Sequence, residues 1–202
     1  MQVVRLKMTW WTFCVPVLLF WVTFVTCQQC QRQQFGSIDG DIILGATFNI
    51  HAQAAGAEGC SEKVNADAVQ RLEAAHFAVQ KLNEDKFLPG VTFGIRSYDD
   101  CGRPDVAVHR AVDFLAEREK YADDSGSICP ANVMFPGMLS ALYSGVTARV
   151  AQFLNYIPMP TVSYASHSLE LSDTNKFPYF QRLVPSATSA VKVGVTFYKS
   201  NF

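Results

Sequence analysis

Serines, one arginine and a helix start are the groups in this chain whose types and positions can do chemistry. The chemistry they suit is the binding of a small anion-bearing molecule. Residues 161–185, TVSYASHSLELSDTNKFPYFQRLVP, begin as a short β-branched strand and deliver Ser163, Ser166 and Ser168 towards its carboxyl end. Hydroxyls and bare backbone there present donors to a ligand, because ligands of open α/β sheets sit outside the carboxyl ends of the strands. Ser144 opens an apolar helical segment, and the free N–H groups of a helix start form a seat for a carboxylate. Arg71 falls in the first turn of another helix, where a cation gains nothing from the helix dipole, so a ligand contact is the better account of it. Each feature also has a plainer reading, as a serine-rich turn or an N-cap, and capping is compatible with ligand binding through neighbouring groups.

Catalytic motifs do not accompany these residues. Gly45 lies inside a strand and starts no G-x-G-x-x-G, no G-x-x-x-x-G-K-[ST] occurs, and Ser144-Gly145 lacks the leading glycine of a G-x-S-x-G elbow. Asp99 and Asp100, adjacent at a strand end, read as turn formers rather than as an acid/base pair. His51, His76, His109 and His167 are scattered without ligand spacing, so no metal and no cofactor is expected. A net charge of −1 over 202 residues implies no basic face and no nucleic-acid partner. The expectation is a binding module and not an enzyme.

The elements that must position these groups alternate along the chain. Residues 42–50, IILGATFNI, form a buried strand, followed by a small Ala/Gly-rich loop over 52–64. Asp67 then opens a helix as its cap, with Gln70 completing a capping box and Val69, Leu72, His76, Val79 and Leu82 on the apolar face. Residues 91–98 form a second strand, and Pro104 starts a second helix with Val108, Ala111, Val112 and Leu115 inward. An irregular loop over 121–135 leads to a strand at 138–142 and a third helix capped by Ser144, with Val146, Val150, Phe153 and Leu154 inward. A fourth strand covers 161–164, an extended run covers 180–184, and a fourth helix begins at Ser186. Strands alternating with helices imply a three-layer α/β lobe with a mainly parallel sheet and right-handed crossovers. Arg71, Ser144 and residues 165–168 then share its carboxyl edge.

The first residues have a different character. Arg5 and Lys7 precede an uncharged apolar run, so residues 1–27 read as a secretory signal peptide or a signal anchor. Residues 28–40 read as a polar linker, and 41–202 as the folded lobe. In an oxidising compartment disulfides are the default. Cys60 precedes the first helix and Cys101 follows the second strand, so one βαβ unit brings them together for a bond. Cys129, with no obvious partner other than Cys30, is the candidate for an intermolecular bridge.

Several stretches in order carry a family likeness: GDIILGATFNIH (40–51), Cys60, QRLEAAHFAVQKLNED (70–85), LPGVTFGIRSYDDC (88–101), DFL (113–115), ICP (128–130), Tyr143-Ser144, SYASHSLELSD (163–173) and YFQRLVPS (179–186). The series resembles the extracellular domain of metabotropic glutamate receptors, members of class C of the G-protein-coupled receptors. LSD followed by YF-x-R-x-VP is shared more widely with receptors of the periplasmic-binding-protein type. The resemblance implies a Venus-flytrap fold of type I, in which two lobes close on glutamate or a related amino acid. It also implies a dimer linked through Cys129, above a cysteine-rich segment and membrane helices that engage a G protein. By position, Arg71 matches the arginine on the ligand's side-chain carboxylate, and Ser144 the serine on its α-carboxylate. Ala165, Ser166 and His167 fall where backbone and a threonine hydroxyl hold the α-carboxylate and α-amine.

Three departures bear on the ligand. His167 stands where the family has threonine, Asp67 where members place a tyrosine or arginine, and Ser140-Ala141-Leu142 where glycines are favoured. An acid one helical turn before Arg71 implies a pocket for a neutral or basic amino acid. The second lobe, the cysteine-rich segment and the membrane helices have no counterpart in the 202 residues. The expectation is therefore an incomplete first lobe that does not signal by itself, with a secreted single-lobe protein pairing with a full-length receptor as the alternative.

Overall fold

The computed structural model describes residues 34–54, 60–119, 121, 133–189 and 191–192. The expected signal, Cys30 and Cys129 lie outside the described residues. Elements follow in the order β1 (Gln34–Ile38), β2 (Ile42–Phe48), β3 (His51–Gln53), β4 (Cys60–Val64), α1 (Ala66–Glu84), β5 (Phe93–Asp99), α2 (Pro104–Glu119), β6 (Met138–Ser140), α3 (Ser144–Asn155), β7 (Thr161–Ser163) and β8 (Phe180–Arg182). A 3-10 turn spans Leu169–Ser172. No helix among the described residues is long and apolar enough to cross a membrane.

Six strands form one sheet in the order β1-β5-β2-β6-β7-β8. All pairs are parallel except β1 with β5. The chain steps from β2 out to β5, then returns past β2 to β6 and continues to β7 and β8. That reversal opens a crevice outside the carboxyl ends of β2 and β6.

Burial on both faces explains the near-continuous apolar runs of these strands. Ile43, Tyr98 and Met138 pack with Ala107, Ala111 and Phe114 of α2 and Val146, Val150 and Leu154 of α3. Ala46, Phe48 and Ile95 face the other way, against Ala68, Leu72 and Val79 of α1. This is the expected three-layer α/β lobe. Gly45 has a packing reason, since a Cβ there would stand 2.9 Å from the buried Phe114 ring.

Several expectations are corrected. The polar linker ends earlier, because Gln34–Ile38 is an edge strand that pairs its backbone with β5 across an irregularity between Gln34 and Gly36. Edge strands bury little, so polar composition hid it. The Ala/Gly-rich loop contains an antiparallel hairpin, β3 with β4. Asp67 is not the cap of α1: Asn65 occupies that position without a side-chain cap bond, and Asp67 is an exposed residue of the first turn. His76 is only half-buried on the α1 face, where its Nε2 meets Ser97 Oγ at 2.8 Å. On α2, Ala111 is buried and Val108 and Leu115 pack half-buried against the core, but Val112 is exposed and the most buried positions are Ala107, Ala111 and Phe114.

Candidate functional site

The carboxyl ends of β6 and β7 are tied by a hydroxyl knot. Ala141 O accepts from Thr147 Oγ1 at 3.1 Å, from Ser163 Oγ at 3.3 Å and from Ser166 Oγ at 3.4 Å. Ser166 Oγ also meets Thr147 Oγ1 at 2.7 Å, and Ser166 N–H donates to Ser163 Oγ at 2.9 Å. All three hydroxyl residues are fully buried. Ser166, an expected ligand contact, therefore has its hydroxyl and its N–H engaged within the protein, and it supports the loop instead of facing a ligand. Its small volume and paired hydroxyl suit a tightly packed turn, which the serine-rich composition could not distinguish from a ligand cradle.

The knot fixes the loop that follows against the start of α3. Ser168 N–H donates to Ser144 Oγ at 3.2 Å, and Ala187 N–H donates to His167 O at 2.8 Å. Arg182 donates to Ser168 O at 2.9 Å. Ser144 is the first helical residue and not the cap; Tyr143 holds the cap position, with no side-chain cap bond. The first N–H groups of a helix have no intrahelical acceptors, and here no cap side chain covers them. Space above Gly145 is open, with nothing within 4 Å of where a Cβ would be. Ala165 is half-buried, and its carbonyl lies 3.2 Å from Nδ1 of the exposed His167. Ser144 and residues 165–168 thus share one rim.

Beneath that rim lie polar atoms with no partners. Arg71 Nη1, Tyr164 OH, Asp100 Oδ2, Asn49 Oδ1, Thr47 Oγ1 and Ser140 Oγ are buried without a hydrogen bond. They come from the carboxyl ends of β2, β5, β6 and β7 and from α1, so the sheet edge concentrates unmet donors and acceptors. Such groups are costly when buried, and native proteins keep them where water or a ligand completes them. Tyr164 stacks on Phe48 with ring centroids 5.9 Å apart. Burial raises its phenol pKa, with the Asp100 charge adding to the rise and the Arg71 charge opposing it. Burial also lifts Asp100 to about 6, opposed by the Gly102 N–H and assisted by neighbouring Asp99. Polar residues inside the run ATFNI were the one available signal for Thr47 and Asn49, and only burial gave that signal meaning.

Asp99 and Asp100 do form turns, accepting from Cys101 N–H at 2.9 Å and Gly102 N–H at 2.8 Å. Asp99 also binds His51 Nδ1 at 2.6 Å, a pairing invisible at a separation of 48 residues. Cys101 and Gly102 are left-handed, with φ of 52° and 68°. The Cys60–Cys101 disulfide is present, with Cα atoms 5.4 Å apart. Among the described residues the one group spaced to hold a metal is Cys60, Asp99 and Cys101, and its two sulfurs are spent in that bond.

Between the hairpin, the α1 start and the Cys101-Gly102 turn lies a cavity of about 530 Å³, lined in part by Asn49, His51, Lys63, Asp67 and Tyr143. None of the five expected ligand residues lines it. It adjoins them, because Tyr143 precedes Ser144 and Asp67 is one turn before Arg71.

An α/β lobe of this topology, with its unmet polar groups gathered along the carboxyl edge, is a type I periplasmic-binding-protein-like ligand-binding lobe. The chain belongs to the family described as "Receptor family ligand binding region", whose sequence model matches residues 70–200. This is a family of receptor ligand-binding regions and not of enzymes. The chain is 35% identical to metabotropic glutamate receptor 4 of Rattus norvegicus over 159 residues, covering 75% of this chain and 17% of that receptor. The Mus musculus receptor 4 gives the same figures. Metabotropic glutamate receptor 8 of Homo sapiens is 31% identical over 184 residues, covering 86% of this chain and 20% of the receptor. The chain is thus metabotropic-glutamate-receptor-like in its ligand-binding region, and it spans about a fifth or less of the length of these curated relatives.

Proposed function

We propose that this lobe binds a free amino acid on the extracellular side of a receptor of the metabotropic glutamate type. The α-carboxylate sits at the open start of α3, beside Ser144 and Gly145, and the α-amine reaches the Ala165 carbonyl and His167. Arg71 supplies a cation from α1. The observation that carries this reading is the buried, unpartnered Nη1 of Arg71, on the same sheet edge as an uncapped helix start. A buried guanidinium donor without an acceptor is a standing cost that an anionic or carbonyl-bearing ligand removes. In the complete receptor this lobe works in a dimer bridged by Cys129, and signalling to a G protein belongs to segments beyond the lobe.

A single lobe makes about half of a two-lobe site's contacts, so its affinity is low and binding is best followed by NMR at millimolar ligand. With the isotope-labelled chain, an amino acid should shift the amide signals of Ser144, Gly145 and residues 165–168. Arg71→Ala should weaken that binding by about tenfold or more, the loss typical of one charged hydrogen bond. Shifts confined to other surfaces, or affinity indifferent to Arg71, would refute the reading.

A further inference from the structure

The cavity beside the rim carries a recognition pattern of its own. Asn49 is only 4% exposed, lines the cavity, and has an Oδ1 with no hydrogen-bond partner. Whichever way its amide is turned, it offers one C=O acceptor and N–H donors. Two charges of opposite sign share the lining, the Asp67 carboxylate and the Lys63 ammonium, and neither is in an ion pair among the described residues. His51 is already committed to Asp99. The site therefore presents acceptors at Asn49 and Asp67 and a donor at Lys63, with Arg71 one turn beyond Asp67 on the same helix face.

We propose that this cavity receives the side chain of the bound amino acid and selects a terminal carboxamide, as in glutamine, over a carboxylate or a guanidinium. This rests on the amino-acid-binding reading above. A carboxamide donates N–H to Asn49 Oδ1 and Asp67 and its oxygen, with two lone pairs, accepts from Lys63 and Arg71, so every group finds a partner. A carboxylate satisfies Lys63 and Arg71 but faces Asp67 and leaves Asn49 Oδ1 unmet. A guanidinium satisfies the acceptors but is set against Lys63 and Arg71. Sites that hydrogen-bond a substrate group discriminate strongly against analogues lacking it, because the buried polar atoms are then left unpaired. A volume of about 530 Å³ accommodates such a side chain and lies within the usual range for small-molecule sites.

The test is an NMR titration of the labelled chain with glutamine, glutamate and arginine. Glutamine is expected to bind about tenfold more tightly than either competitor, shifting both the Ser144–Gly145 amides and those of Asn49 and Asp67. Asp67→Lys, at an exposed position, should abolish or reverse the preference of glutamine over glutamate while the Ser144 shifts persist. Glutamate binding at the α3 start as tightly as glutamine, or a preference unmoved by Asp67→Lys, overturns the carboxamide assignment alone. If none of the three ligands shifts the α3 start, the amino-acid-binding reading falls and the assignment with it.

Discussion

Asp100 shows how one buried group at the carboxyl edge of the sheet makes stability depend on pH. Its carboxyl is fully buried, with one oxygen held by Gly102 N–H and the other unpartnered. Desolvation lifts its pKa from 3.8 to about 6. A raised acid pKa means that the folded state holds its proton more tightly than the unfolded chain does. The stability contribution is complete below about pH 4 and is lost as pH rises through about 6, a difference on the order of 3 kcal/mol. Asp100→Asn keeps an acceptor for Gly102 and removes the titration. Thermal unfolding across pH 4–7 should therefore show the wild-type chain losing stability, relative to Asp100→Asn, as pH rises. A constant difference between the two would contradict the assignment. Asp99 is engaged on other sides, by His51 Nδ1 and the Cys101 N–H. Adjacent identical residues in sequence thus acquire distinct roles from what folds against them.

Among the elements, β2 constrains the lobe most tightly, since it is central, parallel on both sides and covered on both faces. Gly45 permits Phe114 of α2 to lie directly on the strand. Gly45→Ala should push that fully buried ring out of place and cost about 1–3 kcal/mol in a denaturant titration, with little change in the transition slope. An unchanged midpoint would show that α2 can withdraw freely. Strands and helices of this kind were legible because their apolar runs are long and periodic. The hairpin and the edge strand β1 were not, because short strands with polar faces have the composition of loops. Cap positions were also misplaced: Asn65 and Tyr143 hold them by backbone geometry alone, without the side-chain bonds from which a cap is normally inferred.

For the molecule as a whole, the Cys60–Cys101 bond fastens the hairpin and the α1 start to the end of β5, around the proposed side-chain cavity. Its closure spans 41 residues. Constraint of the unfolded chain by such a loop contributes about 4 kcal/mol. Replacing both cysteines by serine should lower the thermal midpoint clearly, and reductant should lower the wild-type midpoint but not that of the double variant. Equal midpoints with and without reductant would show that the bond adds nothing.

The amino-acid sequence by itself determined the alternation of strands and helices, the parallel sheet, the shared carboxyl edge of Arg71, Ser144 and residues 165–168, and the disulfide. Those follow from periodicity, chain order and the handedness of crossovers, which are local or topological properties. Only the tertiary structure decided which polar groups are free. Ser166 is consumed by the Ala141 carbonyl and Thr147, whereas Arg71, Asn49 and Tyr164 keep unmet atoms. Whether a hydroxyl or an amide has a partner depends on contacts between residues far apart in the chain, and residue type carries no record of them.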